Sequence, residues 1–267
     1  MQQFTGTTLS SNGFQVLPET ENYIARFSEK AVTVNPIELQ TEVGCFPREA
    51  MIATADGFKR MDELRIGDTV ADVDATGRVT QTKVYAWLRL DRVQHEFVHI
   101  RTESGRSLRL TPNHLIFRQL RGSTATSHGC MGASATEHEA VLASELNVGD
   151  TVFSATAEPF SSYECDNVTS VKNVQAFGAY APATMSGTLL VDGVHVSCYT
   201  SYWLKDTIGH YFIHRVIMAP LRALAHALSF ADRLLDDDHN TMQERFLKPD
   251  ERALWFVDMW KVFRSKV

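Results

Sequence analysis

A cysteine that directly follows a glycine, in Gly44-Cys45-Phe46, stands where a polar stretch gives way to short apolar runs. A thiol at the first residue of a domain can attack the carbonyl just before it and turn the Gly44–Cys45 amide into a thioester. The step requires that the backbone be held within reach and that the departing nitrogen receive a proton. Glycine on the acyl side suits this chemistry, because a carbonyl without a neighbouring side chain can be approached closely. The proton is best handled by an imidazole, whose unperturbed pKa of roughly 6.5 lets it give and take protons near neutrality. His114 in Thr111-Pro112-Asn113-His114 is the candidate. Pro112 fixes a turn there, so the Thr111 hydroxyl and the imidazole can converge on one peptide group. A histidine followed by Leu115, Ile116 and Phe117 also fits a satisfied core residue. Cys198, in Ser197-Cys198-Tyr199, reads either as a small buried hydrophobe or as a second thiol lining the same site and able to exchange disulfide with Cys45.

The elements that must position these residues come in two copies. Met61-Asp62-Glu63-Leu64-Arg65-Ile66-Gly67-Asp68-Thr69-Val70 recurs as Ala143-Ser144-Glu145-Leu146-Asn147-Val148-Gly149-Asp150-Thr151-Val152, a displacement of 82 residues. Ser104-Gly105 and Leu108 recur at the same displacement as Ser186-Gly187 and Leu190. That period exceeds the roughly 20 to 50 residues of solenoid repeats, so one domain with two homologous halves and pseudo-two-fold symmetry is expected. From Cys45 to Trp203 the chain alternates short runs of Val, Ile, Leu, Thr and Phe with turn signals such as Ala55-Asp56-Gly57 and Asp192-Gly193, the pattern of an all-β region. Phe97–Arg101 and Ser107–Leu110 flank Glu103-Ser104-Gly105 as a hairpin. Residues 121–135, rich in Ser, Thr, Gly and Ala, read as an exposed loop. Beyond Trp203 the period becomes helical, with Phe212, Val216, Leu221, Leu224 and Leu228 on one face and a kink or restart at Pro220. A last helix starting at Pro249 carries Trp255, Phe256, Met259, Trp260 and Phe263, suited to packing on the main domain or to a lipid surface. Residues 1–44 are polar and read as a leader or a truncated upstream module.

Composition narrows the function. With 267 residues, 44% of them apolar, the chain can build a core, and a net charge of −6 supplies no basic field for a phosphate backbone. Nucleic-acid binding is therefore disfavoured. Four widely spaced cysteines without a C-x-x-C pair argue against a zinc site and a dense disulfide scaffold, so no metal or cofactor is expected. No basic start followed by an apolar stretch marks a signal peptide, and no uninterrupted apolar stretch is long enough to span a membrane. A monomer is expected.

Gly44-Cys45-Phe46, the repeated Glu-Leu-x-x-Gly-Asp, Thr111-Pro112-Asn113-His114 and Gly187 through Ser197-Cys198-Tyr199 together resemble the Hint domain of Hedgehog-type autoprocessing proteins, which is related to inteins. The resemblance covers residues 45–203. It implies a mainly β horseshoe that cleaves its own chain through an internal thioester. Cys45 would be the nucleophile, Thr111 and His114 would assist the acyl shift, and Cys198 would lie beside them. His195 is followed by Val196 and Ser197 rather than by the asparagine that completes intein splicing, so cleavage without splicing is expected. In Hedgehog members an aspartate activates a sterol hydroxyl. Here Arg89 falls on that position and Asp91 two residues later, which leaves Asp91 a candidate base and a solvated carboxylate beside Arg92 as the alternative. Residues 204–267 resemble the segment that contributes to lipid-acceptor recognition. The acceptor would be a sterol, another lipid alcohol or water, the upstream segment is the substrate, and the family suggests secretion. Two rival readings are a trans-acting cysteine hydrolase and a catalytically silent binding module.

Overall fold

The structure, a computed structural model, describes residues 8–9, 14–15, 24–27, 30–33, 44–74, 76–120, 138–156, 163–200 and 210–235. The chain divides into a small unit, Met1–Glu42, and a large one, Val43–Val267. The small unit holds two hairpins that the polar composition did not suggest: β1 (Thr8–Leu9) on β2 (Phe14–Gln15), and β3 (Ile24–Phe27) on β4 (Lys30–Thr33).

In the large unit the first half comprises β5 (Met51–Thr54), β6 (Gly57–Arg60), β7 (Thr69–Val73), β8 (Val79–Thr102), β9 (Ser107–Leu110) and β10 (His114–Gln119). The second half comprises β11 (His138–Leu142), β12 (Thr151–Ala155), β13 (Tyr163–Thr184), β14 (Thr188–Val191) and β15 (Val194–Thr200). All eleven belong to one antiparallel sheet, whose path β11-β10-β12-β13-β8-β7-β5-β14-β15 returns on itself because β10 and β12 also pair with β15. The chain is mainly β, as its runs and turns indicated, and the hairpin across Glu103-Ser104-Gly105 pairs Arg101 with Ser107 and His99 with Arg109.

The two halves meet along β8 and β13, paired from Val168 opposite Thr102 to Thr184 opposite Val84. Strands of 24 and 22 residues far exceed the usual length of about 5 to 6 and stay packed only by bending. Register shifts at Phe177/Ala179, Ala181/Pro182 and Ala183/Thr184 supply the bends. Inside lies a core of Phe46, Ile52, Met61, Tyr85, Ile100, Leu108, Leu110, Ile116, Leu189 and Val196, each essentially without exposure.

The helical segment opens with a short turn, α1 (His210–Phe212), passes through a π-helical turn, Ile213–Ile217, and restarts as α2 (Ala219–Leu235), with Pro220 in its first turn where a missing N–H costs nothing. The restart matches the sequence, and the buried face does so in part, with Leu221 in the core and Leu228 packed against it. Ile213, Met218, Leu221 and Ala225 join the core, while Phe212, Val216 and Leu224 are exposed. The π turn inserts one residue relative to an α-helix and so rotates the face that a regular 3.6 period predicts. The loop at 121–135 and the aromatic helix after Pro249 lie outside the described residues. No helix among the described residues is long and apolar enough to cross a membrane.

Candidate active site

The Gly44–Cys45 peptide is fixed by its neighbours on both sides. Phe46 exchanges backbone hydrogen bonds with Tyr180 of β13, each 2.9 Å, which anchors the chain immediately after Cys45. The Cys45 N–H donates to Thr111 Oγ1 at 2.9 Å, and the Thr111 N–H donates back to the Cys45 carbonyl at 2.9 Å. After Thr111 the chain turns at Pro112 and Asn113, closed by the His114 N–H on the Thr111 carbonyl at 3.0 Å. That turn carries hydroxyl and imidazole to the same peptide. The space a Gly44 side chain would need is already taken: a Cβ there would lie 2.6 Å from His114 Nδ1 and 2.9 Å from His114 Cα.

The His114 ring is oriented from behind by the Ser197 carbonyl, 2.8 Å from Nε2. A carbonyl only accepts, so Nε2 carries the proton, and the lone pair of the neutral ring sits on Nδ1. Nδ1 faces the Gly44 backbone closely enough to feel it electrostatically but makes no hydrogen bond of good geometry. The local backbone explains why Ser197 reaches His114. On β10 and β15, His114 pairs with Thr200 and Ile116 with Val196, so Ser197, Cys198 and Tyr199 together oppose Leu115. A bulge of this kind re-aims a carbonyl out of the ladder.

Burial governs the protonation states. Burial pushes the Cys45 thiol up to about 12, opposed by the Arg89 guanidinium, which hydrogen-bonds the thiol, and reinforced by the Asp91 charge. Burial also lowers His114 to about 4, only partly offset by the Ser197 and Gly44 carbonyls. At neutral pH the site therefore rests as a protonated thiol beside a neutral imidazole. Cys45 fits here because the residues packed on it from β13, Ala179 and Ala181, are small.

Arg89 and Asp91 stand opposite Ala181 and Ala179 in the paired arms. The Arg89 guanidinium donates to Asp91 at 2.9 Å, and the same carboxylate oxygen lies 3.0 Å from His95 Nε2. Asp91 is thus not a solvated carboxylate beside Arg92. Burial disfavours its ionised form, but the Arg89 hydrogen bond, the Val93 N–H and the His95 charge outweigh that and hold it below the usual carboxylate range.

The structure brings Gly44, Cys45, Thr111 and His114 together, with Arg89 and Asp91 at the thiol. Cys198 is one strand from His114, yet its sulfur lies 3.4 Å from Thr184 Oγ1, within the main core beside Tyr85, and burial raises it to about 12. Cys45 and Cys198 are both free thiols, whereas Cys165 is disulfide-bonded. Sequence reasoning missed His95, Ser197 as a partner of His114, and His210 and His214. The spacings Asp91-x-x-x-His95 and His210-x-x-x-His214 were the available signals.

The described residues thus form a duplicated β domain in which a Thr-x-x-His turn meets the peptide before a buried cysteine near its start. The chain belongs to the Hint family: the family profile, described as a Hint module, matches residues 35–246. It is 36% identical to Warthog protein 4 of Caenorhabditis elegans over 169 residues, covering 61% of this chain and 29% of that protein. It is 32% identical to the Indian hedgehog protein of Xenopus laevis over 184 residues, covering 68% of this chain and 41% of that one. The chain therefore spans less than half the length of these relatives. Among solved structures, the TvoVMA intein aligns with a TM-score of 0.43 and 19% identity, over 59% of this chain and 95% of the intein.

Proposed function

We propose that this chain cleaves itself between Gly44 and Cys45 by an N-to-S acyl shift and passes the upstream segment from the thioester to a second nucleophile, without splicing. The observation that carries the proposal is the clamp on one peptide: Thr111 Oγ1 at the Cys45 nitrogen, His114 Nδ1 at Gly44, and no room for a side chain between them. In the shift the Cys45 sulfur bonds to the Gly44 carbonyl carbon, the C–N bond breaks, and the thiol proton ends on the Cys45 nitrogen. No proton is gained or lost overall. The Nδ1 lone pair of neutral His114 suits it to accept that proton and return it to nitrogen, while Arg89 favours the developing thiolate and Thr111 holds the leaving nitrogen in line.

The acceptor is a sterol, another lipid alcohol or water. Support for an apolar acceptor, or for contact with a lipid surface, comes from the exposed Phe212, Val216, Leu224 and Phe230 of the helical segment. Asp91, ionised and near enough to act on the Cys45 thiol electrostatically, is the carboxylate proposed to take the proton of the acceptor hydroxyl, with Arg89 lowering its basicity. A hydrolase acting on other chains would need an open groove at its nucleophile, and Cys45 is fully buried.

Intact mass over time, for the chain fused to a longer upstream segment, tests the proposal with and without dithiothreitol. Scission between Gly44 and Cys45 that dithiothreitol accelerates and Cys45→Ala abolishes is expected. The mass of the released piece, as free acid, thiol adduct or sterol ester, identifies the acceptor. A chain that stays intact under every condition overturns the reading.

A further inference from the structure

His210 and His214 lie outside the catalytic turn and are not used by the acyl shift as derived above. Their one-turn spacing puts both rings on one side of the helical segment, stacked parallel at 6.2 Å with an interplanar angle of 2°. They meet the side of β15 that bears Ser197 and Tyr199, two residues apart and so on one face. His210 Nδ1 is 2.9 Å from Ser197 Oγ, and His214 Nδ1 is 2.9 Å from the Tyr199 hydroxyl. Ser197 Oγ also accepts the Tyr199 N–H at 2.9 Å, so both sides of the bulged segment are tied through one hydroxyl. Arg222 of α2 donates to His214 Nδ1 at 2.9 Å and to the His214 carbonyl. Gly187 leaves room for this contact, since a Cβ there would overlap the His214 ring. On its other side His210 packs edge-on against Phe117 of β10, with ring centroids 5.1 Å apart.

His210 thus touches both strands that define the His114 pocket: β15 through Ser197 and β10 through Phe117. Ser197 in turn supplies the carbonyl that takes the His114 Nε2 proton. We propose that His210 is a positioning residue for His114, holding the Ser197 bulge so that its carbonyl keeps the imidazole in the tautomer whose Nδ1 lone pair faces the Gly44–Cys45 peptide. The helical segment is then part of the machinery of the first step, not only a surface for the acceptor. His214, in the π turn, and Tyr199 form the second rung of the same latch. The effect on rate rests on the self-cleavage reading; the effect on the His114 tautomer does not.

Two substitutions separate packing from hydrogen bonding. His210→Phe keeps an aromatic ring against Phe117 but loses the polar atom, and His210→Asn restores a polar atom near the Nδ1 position. Imidazole nitrogen-15 shifts, read on the full chain blocked with Cys45→Ala and assigned by loss of the signal in His114→Gln, report the tautomer directly. A fixed Nε2–H tautomer for His114 is expected in the blocked chain, a tautomeric mixture with His210→Phe, and return of the fixed form with His210→Asn. In the unblocked chain, thiol-dependent scission is expected to fall roughly ten-fold with His210→Phe and to recover with His210→Asn, the scale of one buried hydrogen bond. Unchanged His114 shifts in a folded His210→Phe chain would overturn the inference. Should that variant not fold, Ser197→Ala, which removes only the hydroxyl, decides on the same readout. A wild-type chain that never cleaves sinks the self-cleavage reading instead, while the shifts still decide the role of His210.

Discussion

The turn at Met61–Asp68 and the turn at Ala143–Asp150 are bonded alike almost atom for atom, and the segments they lead into are not. In each, a 3-10 turn is closed by a glutamate side chain: the Arg60 N–H reaches Glu63 at 3.1 Å, and the Leu142 N–H reaches Glu145 at 3.3 Å. Each then ends in an aspartate that takes a backbone N–H, Arg65 on Asp68 at 2.8 Å and Asn147 on Asp150 at 2.9 Å. Gly67 and Gly149, at φ of 95° and 92°, donate to Val84 and Val168 across the long arms, both at 2.8 Å. Farther on the halves part. In the first, Thr111-Pro112-Asn113 interrupts the passage from β9 to β10 and brings Thr111 and His114 against the Gly44–Cys45 peptide. In the second, β14 returns directly through Asp192-Gly193 into β15, whose bulge supports His114 from behind. The two halves share the frame and differ at one pair of strands, which on the proposed function makes the first half reactive and the second supporting.

The largest expected effect lies in the reactive half. On the proposed acyl shift His114→Ala removes the proton carrier and should slow thiol-dependent scission by about 10² to 10⁴-fold, read by intact mass. A loss under ten-fold would move the proton transfer to another group. Next comes a comparison of the matching aspartates. Asp150 is buried against Arg118 at 3.1 Å, whereas Asp68 meets the partly exposed Lys59 at 2.9 Å. Asp150→Ala leaves the buried Arg118 with Glu139 alone and also removes the turn bond from the Asn147 N–H, so it should cost about 2 to 3 kcal/mol in urea unfolding. Asp68→Ala should cost about 1 kcal/mol, mostly its turn hydrogen bonds. Equal costs would mean the two turns bear the same load.

Gly44 and Gly187 sharpen the contrast, because each gives its side-chain space to a histidine ring, Gly44 to His114 of β10 and Gly187 to His214 of the helical segment. Gly44→Ala must displace His114 at the reacting bond, and a shift of about 1 Å there is worth about 10²-fold in scission rate. Gly187→Ala should instead lower stability, by about 1 to 3 kcal/mol, through overpacking and its φ of 84°. A rate loss from Gly187→Ala as large as that from Gly44→Ala would erase the division between the reactive and the supporting half.

Much of this was legible in the chain. The repeat, the all-β region, the Gly44-Cys45 junction and the Thr111/His114 turn all depend on neighbours in sequence, which local pattern records. The length of β8 and β13 was not legible, because bulges break their alternation and their partners lie some 70 residues or more away at most positions. The contact of Arg89 with Cys45 needs two distant strands to meet, so counting from Val84 could note the arginine but not what it touches. The face of the helical segment was legible at Leu221 and Leu228 but not at Phe212 and Val216, which lie before α2 at and within the π turn and are exposed.

Histidine burial gives a pH signature that belongs to the seam between the halves. Burial lowers His114 to about 4 and His210 to about 3, with neighbouring charge from His214 adding to the depression at His210. The unfolded chain takes up protons near pH 6.5 and the folded chain does not. Stability is therefore full above pH 6.5 and falls as pH drops toward 4, by on the order of 1.4 kcal/mol per unit for each such histidine. In the Cys45→Ala chain, melts between pH 7 and pH 5 should show this slope, and His210→Phe should flatten it by one histidine's share. An unchanged slope would mean that His210 is not held neutral.

The smallest effect is expected at the cysteine of the supporting half. Cys198 is buried beside Thr184 and Tyr85 and packs among apolar side chains, whereas Cys45 sits with Arg89 at its sulfur. Both thiols are pushed up to about 12 by burial, so acidity does not tell them apart; the peptide before each does, since Thr111 and His114 Nδ1 meet the Gly44–Cys45 peptide while the Ser197 carbonyl before Cys198 accepts the His114 Nε2 proton. Cys198→Ala leaves a cavity the size of one sulfur and should cost about 1 kcal/mol in urea unfolding, with scission within a few-fold of the unsubstituted chain. A hundred-fold loss of scission at unchanged stability would instead bring Cys198 into the chemistry and make the reactive site a joint product of both halves.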